Sequence, residues 1–256
     1  MRLSATALAP ACLLLCAGPV AFAGDVLFYS GHSGLDEGHS QFASIVAGAG
    51  GSIDFDASAT LPSLDGYEVV FISLPGFSNP EDLFGPSEVD ALNAFLGDPG
   101  HRVVLIGEWD GFYWAGIGVL MDLLAQIGGG TGIQFLPGLF DSGCYSYNCD
   151  GALGASPLVD GLSHVCRADT AVWDEGTATP VAFPIDSPSD PWIVAHETAG
   201  PCLVGLGDSN TLSDGCGHPL DPDTAEFARR LYLLDCEGDP TPVESVTWGS
   251  LKRRFR

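Results

Sequence analysis

A chain of 256 residues that is 46% hydrophobic can bury a large core, and 33 acidic against 9 basic residues give it a formal net charge of −24. So acidic a body repels nucleic acid and anionic lipid, which sets both aside as partners of the folded part. Beyond the N-terminal segment no stretch is long and apolar enough to span a membrane.

Arg2 precedes an uncharged, mostly apolar run over residues 3–23 that ends Ala21-Phe22-Ala23. A positive start, a short apolar core and small residues at −3 and −1 predict a secretory signal peptide, 1–23, cleaved before Gly24. Pro10 and Pro19 break the run, which argues against a spanning anchor. Cys16 follows Leu13-Leu14-Leu15 rather than the small residue a lipidated cysteine needs. Export to the medium or the cell surface is the expected outcome. Six cysteines then remain, Cys144, Cys149, Cys166, Cys202, Cys216 and Cys236, and an even number in an exported chain predicts disulfides. The pair Cys144–Cys149 is expected, because it closes a tight Tyr145-Ser146-Tyr147-Asn148 loop. No C-x2-C spacing favours zinc over disulfides at these cysteines.

Residues 25–30 form a short β-rich run. A helix is predicted over 40–49, stopped by Gly50-Gly51, and a strand over 52–55. The unbroken apolar runs 67–74 and 102–106 read as strands buried on both faces. Pro86-Ser87-Glu88 opens a helix to Leu96, and another runs from about 112 to 127 before Gly128-Gly129-Gly130. Strand and helix alternate over short connections, the pattern of a three-layer, doubly wound, mostly parallel α/β sheet. Residues 131–199, rich in Gly, Pro, Ser and Asp, read as an irregular, cysteine-bearing insertion. Within and after it, 181–183, 192–196 and 202–206 are predicted strands, the last two a hairpin. A helix over 224–234 closes one domain, 24–236. Residues 237–256 follow as a Pro/Gly linker and a basic tail in which Trp248, Leu251 and Phe255 share one helical face.

The alternation up to Ile127 resembles the class I glutamine amidotransferase-like, flavodoxin-like superfamily. In that family a nucleophilic cysteine sits in a sharp G-x-C-x-G turn after a buried strand. Gly107-Glu108-Trp109-Asp110-Gly111 keeps both glycines, but Trp109 stands in the nucleophile's place and no cysteine occurs between Cys16 and Cys144. Thiolate chemistry is therefore missing at this turn. Gly207-Asp208-Ser209-Asn210-Thr211-Leu212-Ser213-Asp214 is similar to the strand-ending Gly-Asp-Ser segment of the superfamily's non-catalytic branch. Ser156-Pro157-Leu158-Val159-Asp160-Gly161 resembles its HPLxxG segment, with Ser156 in the histidine's place. The resemblance implies a catalytically degenerate domain that acts as a binding or structural module. The ending Thr247-Trp248-Gly249-Ser250-Leu251-Lys252-Arg253-Arg254-Phe255-Arg256 is similar to tails of exported bacterial proteins. That implies export or surface-attachment machinery as the partner of 241–256; a terminus docked on the acidic body is the alternative.

In such a sheet ligands bind beyond the carboxyl ends of the strands. Glu108, Trp109, Asp110, Asp208, Ser209 and Asn210 are the candidate ligand site, open to a small molecule, a glycan or a protein. The competing expectation is a metal-assisted hydrolase in which His32, His39 and Asp36 hold a Zn²⁺-like ion and activate water, although no HExxH spacing supports it. The carboxylate excess also suits Ca²⁺, without an Asp-x-Asp-x-Asp-Gly loop to bind it. A serine hydrolase fits less well, because Gly207-Asp208-Ser209-Asn210-Thr211 lacks the second glycine of G-x-S-x-G.

Overall fold

β1 (Asp25–Tyr29) opens the fold, followed by α1 (Ser40–Gly48), β2 (Ile53–Asp56), β3 (Tyr67–Ser73), α2 (Pro86–Gly97), β4 (Arg102–Ile106) and α3 (Asp110–Ile127). The computed structural model describes residues 25–32, 38–74, 83–108, 110–140, 147–168, 170–197, 200–214 and 220–236. The predicted signal segment 1–23, Asp36, Trp109, Cys144, Cys216 and the predicted linker and tail from 237 lie outside these residues. No described helix is long and apolar enough to cross a membrane.

Each of these elements falls within a few residues of its sequence prediction, and the causes are local. β4 reads Arg-Val-Val-Leu-Ile and is buried at every position, as a strand covered on both faces must be. α2 starts with Pro86, whose missing N–H belongs to a turn that has no acceptor for it, and the Gly85 N–H donates to Glu88 Oε2 at 2.6 Å.

The 131–199 region is more regular than its composition predicts. It holds β5 (Gln134–Phe140), β6 (Ala152–Leu153), β7 (Thr170–Asp174), β8 (Thr179–Phe183) and β9 (Ile193–His196). β10 (Leu203–Leu206) and α4 (Pro222–Tyr232) follow. The main sheet runs β2-β1-β3-β4-β10-β9-β8-β6, while β5 and β7 make a separate antiparallel ribbon. β2, β1, β3, β4 and β10 are mutually parallel; β9, β8 and β6 add on antiparallel. His196 pairs with Leu203, so β9 and β10 form the expected hairpin. The result is a mixed α/β fold around a large, mostly parallel sheet.

Alternation along the strands divides the core in two. Phe28, Phe71 and Val104 face one side, with Phe42 of α1 and Phe227 and Leu231 of α4. Tyr29, Val70 and Leu105 face the other, with Leu92 of α2, Leu123 of α3, and Phe135 and Trp173 of the ribbon. α4 is capped by Asp221, whose side chain accepts from the amides of Asp223 and Thr224, and ends with Arg229 and Arg230, which suit the helix dipole.

The disulfide expectation holds in kind and fails in detail. Cys149 is bonded to Cys166, not to Cys144, and Cys202 to Cys236. The reason is a backbone bridge. Asn148 and Arg167 exchange two N–H···O bonds of 2.7 and 2.9 Å, which brings the Cα atoms of Cys149 and Cys166 to 4.1 Å. Proximity in sequence was the wrong guide here, because that bridge is made between residues 19 positions apart.

Candidate functional site

β4 and β10 are parallel neighbours in register, Ile106 beside Leu206, so the residues that follow each strand meet at one edge. Gly107 N–H donates to Leu206 O at 2.7 Å, and Gly207 N–H to Trp192 O at 2.7 Å. Glu108 is buried; its Oε2 accepts from Ser209 Oγ at 2.6 Å and from Ser209 N–H at 3.2 Å. Asp208 is fully buried. Its Oδ1 accepts from Asn210 N–H (2.8 Å) and Nδ2 (3.1 Å), and its Oδ2 from the amide of Ala168. Asp208 thus tightens the 3-10 turn Ser209–Thr211 and ties the strand end to the 166–168 segment.

Four of the six predicted ligand-site residues, Glu108, Asp208, Ser209 and Asn210, are therefore brought together. Asp110 is the first residue of α3, and Trp109 lies outside the described residues. The hydroxyl proton of Ser209 goes to a carboxylate, an arrangement that orders the turn. The phenol of Tyr147 is held well above its ordinary value by burial, then by the charges of Asp208 and Asp221.

The two histidines of the hydrolase expectation are both buried but are placed apart. His32 packs against Phe84 (ring centroids 4.3 Å) and Tyr29, with Nε2 3.3 Å from Glu88 Oε1. Burial works to raise the Glu88 pKa, but N–H groups of Leu61 and Gly85, with His32, bring it below the ordinary value. His39 packs instead on Phe28 at 4.1 Å, on the opposite side of β1 from Tyr29. Successive strand residues face opposite sides, so rings seated on Phe28 and on Tyr29 are separated by the sheet.

A different metal-type group exists. Cys149, His164, Cys166 and Asp221 offer ligand atoms that all lie within 4.8 Å of one another. His164 Nε2 is 2.9 Å from Asp221 Oδ1, and Cys166 Sγ is 2.9 Å from Asp221 Oδ2. His164 Nδ1 is 3.0 Å from Ser163 Oγ, and the amide and hydroxyl of Ser163 both donate to Asp223. Sequence reasoning passed over His164 and Asp221. The available signal was His164-Val165-Cys166 together with an Asp-Pro helix start at 221, two short patterns that only the fold joins.

No protein-family model matches this sequence, and no curated protein does. Among solved structures the chain is similar to the exo-beta-1,4-mannosidase Op5Man5 from Opitutaceae bacterium strain TAV5, at 11% sequence identity and a TM-score of 0.47. The match covers 84% of this chain and 36% of that one, so the chain spans about a third of the enzyme's length.

Proposed function

We propose that this protein is a secreted or surface-attached binding module, built on a flavodoxin-like, glutamine amidotransferase-like domain without a catalytic cysteine. The observation that carries the reading is the direct bond between Glu108 and Ser209 at the carboxyl edge of adjacent parallel strands. The parallel order β2-β1-β3-β4-β10 supports it, being the 2-1-3-4-5 order of flavodoxin-like sheets, whose ligands bind beyond that edge. By sequence Trp109 takes the place of the nucleophile, and an indole suits stacking on a sugar or peptide where the family's cysteine would give a thiolate. The two disulfides among the described residues fit an oxidising compartment, and the tail 241–256 is the address for export or surface attachment.

The test pairs turnover with binding, on the mature chain. Ammonia release from glutamine and hydrolysis of aryl esters should stay at background. A thermal-shift screen of oligosaccharides and short peptides should find a ligand whose stabilisation is lost in Trp109→Ala. Turnover that disappears in Ser209→Ala would replace the binding module with an enzyme.

A further inference from the structure

We propose that Cys149, His164, Cys166 and Asp221 form a redox-gated site for a zinc-class divalent cation, closed by the Cys149–Cys166 disulfide and opened by its reduction. The ligand set has the right chemistry: two sulfurs and an imidazole favour a zinc-type ion over calcium or magnesium, and one carboxylate completes four. Ligand atoms around tetrahedral zinc lie about 3.3–3.8 Å apart. A set already within 4.8 Å reaches that spacing by side-chain rotation.

Two further contacts show that these groups already sit against one another and that the reduced state suits them better. Cys166 Sγ lies 2.9 Å from Asp221 Oδ2. A disulfide sulfur has no proton to offer a carboxylate, whereas the thiol formed on reduction supplies one. His164 shows the same economy on its other side. With the proton on Nδ1, the ring donates to Ser163 Oγ, whose own hydroxyl donates to Asp223. Nε2 is then left with a lone pair 2.9 Å from Asp221 Oδ1. That hydroxyl–carboxylate relay is the outer-shell support that metal-bound histidines use to fix their tautomer.

The chemistry balances with a dithiol as reductant. Its thiolate attacks the sulfur of Cys149, the exposed residue of the pair, and Cys166 leaves. The second thiol of the reductant displaces Cys149, so the dithiol becomes a disulfide and both protein cysteines become thiols. Binding the cation then releases two protons, one from each thiol. Asp221 also caps α4 through Oδ1, which leaves Oδ2 for the ion and couples occupancy to the start of that helix.

The experiment loads the mature chain anaerobically with Co²⁺, as isolated and after phosphine reduction, and reads the thiolate-to-cobalt charge-transfer band. The oxidised protein should show no band, and the reduced protein should bind one cobalt per chain. The band should vanish in Cys149→Ser/Cys166→Ser and persist in Cys202→Ser/Cys236→Ser. Ser163→Ala, which touches no ligand atom directly, should weaken cobalt binding by about 10- to 100-fold. Equal uptake in both redox states, no uptake after reduction, or a band that survives loss of Cys149 and Cys166 would overturn the proposal.

Discussion

Glu197 follows β9 and accepts a 2.9 Å hydrogen bond from Ser156 Oγ, yet burial raises its pKa above the ordinary 4.5 and the serine only partly offsets this. The folded state therefore holds this proton more tightly than the unfolded chain does. Stability from the raised pKa is fully present below pH 4.5 and is lost as pH rises through the folded value. Glu197→Gln, which keeps an acceptor for Ser156, should be more stable than the parent at neutral pH. Urea titrations at pH 7 and pH 4 would check it: the advantage should shrink to nothing at the lower pH. At the other end of β10, packing rather than chemistry accounts for two glycines. Gly107 looks like the first glycine of a nucleophile turn, but a Cβ there would lie 2.2 Å from the ring of Phe135. At Gly207 it would meet Ala171 O at 2.1 Å. Both glycines make room for the β5–β7 ribbon, so packing accounts for them whether or not an ancestral turn does. The sequence could show that these positions are glycine; it could not show what presses on them.

The ribbon is the element that sequence reading did not find. β7 (Thr-Ala-Val-Trp-Asp) sits among Gly, Pro and Ser, and β5 contains Pro137-Gly138, where its pairing with β7 shifts register. Neither offers the unbroken apolar run that exposed β3 and β4, because Pro137-Gly138 interrupts β5 and Thr170 and Asp174 bound only three apolar residues in β7. α1 to α4 were legible because each combines an apolar stripe with a nearby stop or cap, such as Gly128-Gly129-Gly130 or Asp221-Pro222. The disulfide partner of Cys149 was illegible for the same reason as the ribbon: it depends on a bridge between Asn148 and Arg167 that no local pattern announces. The ribbon's hold on the main sheet rests on Trp173. Its ring lies 3.7 Å from that of Phe135, its Nε1 donates to Trp192 O at 3.1 Å, and it is fully buried. Trp173→Ala should cost about 3–5 kcal/mol, the range for truncating a buried aromatic. Chemical denaturation would measure the loss, and a cost under about 1 kcal/mol would mean that the ribbon is not part of the cooperative fold.

At the scale of the whole molecule, charge is the dominant imbalance. Apart from Arg2 and the tail, the basic residues are Arg102, Arg167, Arg229 and Arg230, and all four are tied locally. Arg229 and Arg230 share Glu226, Arg167 lies 3.6 Å from Asp150, and Arg102 donates to Tyr232 O beneath the surface. They cannot neutralise a chain with 33 carboxylates, so the folded state concentrates like charge that the unfolded chain spreads out. Salt acts on two opposed quantities here. It screens the attraction within the Glu226 pairs, which are half-exposed and contribute about 0.3–0.5 kcal/mol each. It also screens repulsion summed over the whole surface, whose range shrinks from about 30 Å at 0.01 M to about 3 Å at 1 M. The many-body repulsion outweighs the few short pairs, so stability should rise with sodium chloride. A gain of about 1 kcal/mol corresponds to a midpoint about 2–4 °C higher for a chain of this size. Thermal melts of residues 24–256 across that salt range would decide the matter. A falling midpoint would mean that the local ion pairs, rather than the net charge, govern how this surface affects folding.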